Sequence, residues 1–184
     1  ICLLFFGTSY VQIMPIFASL LQSGERGYGL LISVTGVGSV IGTFLVGRFQ
    51  QSRRLGWVML FSAALSPCAL FGFALVTGVA AGAPAAFGLA SLFVMLSAAF
   101  GSIFLVSSMT VLQLKVPDEL RGRVMGIHSV TFSLIALGGL VTGALASAFN
   151  APVAVAIGAA VLLTLVLWAT IRQREILALD GRRL

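Results

Sequence analysis

The groups able to do chemistry in this chain are few, and they lie inside apolar sequence. Thr8, Ser9, Tyr10 and Gln12 fall within five residues of one apolar run. Thr8 and Gln12 are four apart and share one face of a helix. Ser97, Gly101, Phe104 and Ser108 form a second stripe at helical spacing. Polar side chains within a membrane face protein or water rather than lipid. These residues therefore either hydrogen-bond between helices and to their own preceding turn, or they line a path for a solute. Ser39 and Ser102 each follow a glycine, and a serine nucleophile would need an imidazole beside it. The one histidine, His128, falls near the start of its apolar run, where its neighbours supply no catalytic context and it reads as interfacial packing. Cys2 and Cys68 both lie inside apolar runs and read as small buried hydrophobes, with no disulfide framework and no metal site. No cofactor is expected.

The elements that carry these groups follow from composition. Of 184 residues, 59% are apolar and 9% charged, with a mean hydropathy of +1.12. A soluble domain carries roughly 25% charged residues, so lipid must be the solvent for most of this chain. A bilayer core about 30 Å thick needs about 20 helical residues. Six stretches meet that length, 1–21, 29–47, 57–78, 86–112, 124–149 and 152–171, and none contains Asp, Glu, Lys or Arg. Continuous apolar runs exclude a transmembrane β-barrel, which needs alternating polarity. The expected fold is all-α: a polytopic six-helix transmembrane bundle over 1–171, followed by a basic tail over 172–184. The start at Ile1, with no basic stretch before the first apolar run, reads as a start partway through a longer parent.

Charge sets the orientation. Ten of the eleven basic residues fall in the second loop (Arg48, Arg53, Arg54), the fourth loop (Lys115, Arg121, Arg123) and the tail (Arg172, Arg174, Arg182, Arg183). Only Arg26 lies on the other side, beside Glu25. The positive-inside rule assigns the basic face, and with it both ends of the segment, to the cytoplasm. Trp57 and Trp168 fall at that interface and Tyr28 near the opposite one. A net charge of +6 spread over short loops does not form the water-exposed basic face that nucleic acid requires.

Helix association in lipid relies on close backbone approach. Gly38 and Gly42 have GxxxG spacing in the second span; Gly122 and Gly126 enter the fifth, and Gly139 and Gly143 lie farther along it. Spans two and five are thus expected to pack tightly or slide against neighbours. Span six, almost uniformly aliphatic, reads as lipid-facing.

The run Pro117-Asp118-Glu119-Leu120-Arg121-Gly122-Arg123-Val124-Met125-Gly126 resembles the loop before the penultimate helix of major facilitator superfamily exporters, nearest to the drug-efflux and enterobactin-exporter-like branch. Tyr28 to Leu31, with Gly36, Gly38 and Gly42, is similar to that superfamily's eighth helix. Gly47 to Gly56 resembles the second copy of its signature loop, with Gln50 or Gln51 where the signature has an acid. The resemblance implies helices seven to twelve of a twelve-helix fold, built as a 3+3 inverted repeat, its partner being the amino-terminal six-helix half. It implies a secondary transporter that exports a small solute, drug- or siderophore-like, by alternating access. Helices one and four of the half would line the path, making Thr8, Gln12, Phe104 and Ser108 cavity candidates. Helices two and five would form gates, and three and six would face lipid. Arg53, Arg54, Asp118, Glu119, Arg121, Gly122 and Arg123 become gate and loop candidates, with Arg53 or Arg54 expected to pair with Asp118 or Glu119. Gly38, Gly42 and Gly126 are the packing candidates. A coupling acid, as a proton antiporter needs, would belong to the preceding half. Two other classes are weaker. The membrane domain of an ATP-driven exporter would extend long helices into the cytoplasm, whereas these loops are short and no phosphate-binding loop is present. An intramembrane serine protease would need its histidine at depth.

Overall fold

In lipid every backbone N–H and C=O must be paired within the chain, and continuous apolar sequence meets that demand with helices. A computed structural model describes residues 7, 9–49, 55–83 and 85–172, with side chains placed at all of these except 49, 55, 114, 115, 118, 121 and 131–134. A 3-10 segment, Ser9–Ile13, leads into α1 (Met14–Leu20). Five longer helices follow: α2 (Gly24–Phe49), α3 (Leu55–Val79), α4 (Ala86–Lys115), α5 (Asp118–Ala148) and α6 (Ala151–Arg172). These five are long and apolar enough to cross a membrane, and no strand occurs among the described residues. Pro15, at the start of α1, has no N–H to offer the Val11 carbonyl, and the tighter 3-10 winding precedes it.

The helices overrun the bounds expected from hydropathy. α2 takes in Glu25 and Arg26, and α5 begins at Asp118, so the fourth loop shrinks to Val116–Pro117. Pro117 adopts extended backbone (ψ 146°) and stands just outside the helix rather than in its first turn. Acids at helix starts and Arg48 and Arg172 in last turns suit the helix dipoles. Helices of 22 to 31 residues are about 33–46 Å long at about 1.5 Å per residue, so their polar ends reach past the hydrocarbon. Between α1 and α2 the chain reverses through Gln22 (φ 52°) and Gly24 (φ 60°), the latter free of the left-handed penalty.

The helices alternate in direction, so the ends of α2, α4 and α6 share the basic end of the bundle with the starts of α3 and α5. α4 is the central element, packed most extensively against α3 and α2, while α3 also packs on α6. Under an inverted repeat that exchanges α1–α3 with α4–α6, the α2–α4 contact should reappear between α5 and the first span. It does, through the 3-10 segment. The core lies in the half of the bundle remote from the basic end. There Phe17 packs on Phe73 at 4.7 Å between ring centroids, among Met14, Leu31, Leu70, Val94 and Val155.

Two expectations need correction. α6 is lipid-facing on one side only: Ala151, Val155, Gly158, Ala159 and Leu162 are buried and form a stripe that packs inward. The aliphatic composition hid this stripe because lipid-facing and packing residues there differ in size rather than polarity. Cys68 is exposed on α3 rather than buried, because it lies on the face of that helix turned away from α4.

Candidate solute cavity

Close approach of α2 to α4 builds the site. A Cβ at Gly38 would run into the backbone carbonyl of Met95, and one at Gly42 into that of Ala99. With the two helices this close, α3 joins them through a buried hydrogen bond, Ser66 Oγ donating to the Ser97 carbonyl at 3.0 Å, with the two hydroxyl oxygens 3.4 Å apart. Pro67, fully buried next to Ser66, leaves the Ala63 carbonyl without its helical donor and loosens α3 at this level.

Between these helices and the 3-10 segment lies a cavity of about 260 Å³. Tyr10, Thr35, Ser39, Ser66, Ser97 and Ser102 bring hydroxyls to its wall; Gly7, Val11, Ala98, Gly101 and Leu105 complete it. No charged side chain is among these lining residues. Thr35 and Ser39 lie near the middle of α2, Ser66 near the middle of α3, and Ser97 to Ser102 near the middle of α4. The cavity therefore sits at the depth of the bilayer midplane. Several hydroxyl hydrogens are already engaged: Thr35 donates to Leu31 O at 2.8 Å, Ser39 to Thr35 O at 3.1 Å, and Ser66 to Ser97 O. Tyr10 pairs with Thr35. A serine or threonine hydroxyl that has donated its one hydrogen keeps lone pairs, so this wall chiefly offers acceptors to a guest.

The sequence candidates are distributed differently from expectation. Ser97 and Gly101 of the α4 stripe line the cavity, but Phe104 and Ser108 do not; Ser108 Oγ donates to Leu105 O at 2.9 Å within its own helix. Gln12 turns toward α5, donating from Nε2 to Ile135 O at 3.1 Å and lying against Gly139. It ties the first span to the fifth. Thr8, Arg53 and Arg54 lie outside the described residues, as do the side chains of Asp118 and Arg121 and hence the expected ion pair; Cys2 and the tail beyond Arg172 lie outside them too. Glu119, Gly122 and Arg123 are exposed at the basic end. Gly38 and Gly42 make the close contact their spacing suggested. Gly126 does not: a Cβ there would meet nothing within 4 Å, because α5 touches its neighbours farther along, at Gly139. Thr35, Ser39, Ser66 and Ser102 were missed as lining residues. Their signal was position, hydroxyls at the midpoints of otherwise apolar runs. His128, on α5, is not among the residues lining the cavity that holds Ser39 and Ser102.

The described helices thus form a membrane bundle around a hydroxyl-walled cavity at mid-depth. The model of the Major Facilitator Superfamily matches residues 1–183, and the chain belongs to that superfamily. Its class of activity is accordingly secondary transport. No curated protein and no solved structure matches the chain.

Proposed function

We propose that this chain is the carboxy-terminal six-helix half of a twelve-helix exporter in the cell membrane, moving a small amphiphilic solute outward by alternating access. The observation that carries the proposal is the uncharged, hydroxyl-walled cavity at the midplane. A wall of this kind suits a guest with an apolar body and a few N–H or O–H donors better than a sugar phosphate or an amino acid, whose ionic groups would need buried charges. α2 and α5 also expose large apolar residues, Phe44 at 77% and Ile127 and Leu140 at 70%, along faces that no described element covers. These faces suit the amino-terminal half. The basic end, with both ends of the segment, is assigned to the cytoplasm, and the loop Pro117 to Gly126 supports the efflux branch.

Expression of the full-length protein in an efflux-deficient host tests the proposal. Cells loaded with an uncharged amphiphilic dye are expected to lose it faster than controls. A protonophore should abolish the difference, whereas depletion of ATP with the ion gradient clamped should leave it intact. Unchanged dye retention across a panel of such compounds, or efflux that follows ATP and ignores the gradient, would reject the exporter reading.

A further inference from the structure

The cavity wall is not uniform in what it offers a guest. A serine or threonine hydroxyl has one hydrogen to give, and most of the hydrogens here are spent. Thr35 and Ser39 give theirs to carbonyls of α2, and Ser66 gives its own to the Ser97 carbonyl. With the Thr35 hydrogen on Leu31 O, the Tyr10 hydroxyl is the donor in its pair with Thr35. The Ser97 hydroxyl faces Ser66 Oγ at 3.4 Å. Ser102 is different. It lines the cavity half-buried, and among the described residues its hydroxyl has no hydrogen-bond partner. Ser33, Ser62, Ser108 and Ser129 turn back on carbonyls of the preceding turn, as serines in helices do. Ser91 and Ser107 also lack partners, but neither lines the cavity.

Depth separates the two kinds of group. α2 and α4 run parallel, with Gly42 against the Ala99 carbonyl. Ser39 lies three residues before that contact and Ser102 three residues after it. Six residues at about 1.5 Å each set Ser102 about 9 Å nearer the basic end than Ser39. Thr35, with Tyr10 bonded to it, lies a further turn from that end. Acceptors therefore gather in the part of the cavity remote from the basic end, and the unspent donor stands at the other.

We propose that this cavity selects a neutral solute with an N–H or O–H donor at one end and a carbonyl or ether oxygen about 9 Å away, Ser102 being the specificity-determining donor to that oxygen. The inference rests on the cavity being the solute site. Binding of three naphthalene fluorophores to the purified full-length protein tests it. The first carries a methylamino group on one ring and a propanoyl group at the far end of the other, set apart by about that length. The second has propyl in place of propanoyl, and the third dimethylamino in place of methylamino. The wild type is expected to bind the first most tightly. Ser102→Ala should weaken the first and third by about fivefold to tenfold, the loss of one hydrogen bond, and leave the second unchanged. Emission of the bound ketones should move to the blue, because the carbonyl has lost its donor. Ser102→Cys keeps the size of the side chain but donates poorly, so it should match the alanine variant. Equal weakening of all three compounds, undiminished binding of the ketones, wild-type affinity in Ser102→Cys, or equal binding of the first and third by the wild type would each overturn the proposal while leaving the cavity as the solute site. A wild type that binds none of the three would remove the site and the proposal with it.

Discussion

A single methyl group added at Gly42 is expected to destabilise the protein by about 2–3 kcal/mol. The added Cβ would meet the Ala99 carbonyl, part of the backbone of α4, and no rotamer change can move it aside. Either α2 separates from α4 or both helices shift, and either response forfeits the close packing that holds helices together where no hydrophobic drive exists. Gly38, one turn away and set against the Met95 carbonyl, should behave alike. Gly36 is the internal control: a Cβ there meets nothing within 4 Å, and alanine is the better helix former. Thermal melting of the purified full-length protein should place Gly42→Ala about 5–10 °C below wild type, with Gly36→Ala at or above it. Equal melting of the two variants would mean that α2 and α4 are not in backbone contact.

The second large effect is on transport rather than folding. Gly101 lines the cavity, and a Cβ there would make only ordinary contact, 3.5 Å from Ser66 Oγ. Gly101→Ala should therefore transport normally. Gly101→Trp directs an indole into about 260 Å³ of space and should reduce dye efflux to the level of cells lacking the protein, while melting stays close to that of Gly101→Ala. The paired variants separate loss of a path from loss of a fold. Normal efflux by Gly101→Trp would place the solute path elsewhere, and the candidates left would be the faces of α2 and α5.

Five of the six expected spans were legible because lipid tolerates no unpaired charge, and runs free of Asp, Glu, Lys and Arg are hard to mistake; the first, 1–21, lies partly outside the described residues, which hold only its shorter apolar stretch Ser9–Leu20. Their ends were less so. Glu25, Arg26 and Lys115 are helical because a helix can continue into the headgroup layer, where charge costs little. Hydropathy registers the hydrocarbon boundary and not the last hydrogen-bonded turn. The glycines show a second limit. GxxxG spacing marks a helix able to approach another closely, but whether a partner stands there is a tertiary fact, true of Gly38 and Gly42 and not of Gly126 within this chain. Gln12 carried two readings, a tie or a path, and its bond to Ile135 O is the contact the first reading describes. Cavity residues were hardest to foresee because four separate elements supply them. Thr35 and Ser39 bond back to their own helix and line the cavity at once, so a local reading sees only the first role.

Alternating access through this cavity is the central claim, and two-sided accessibility tests it most directly. In full-length protein otherwise free of cysteine, Ser102→Cys places one thiol on the cavity wall. A membrane-impermeant maleimide should label that thiol from the cytoplasmic side in one population of states and from the opposite side in another. Imposing an ion gradient should shift labelling between the sides. Labelling from neither side, or from one side only under every gradient, would contradict the account.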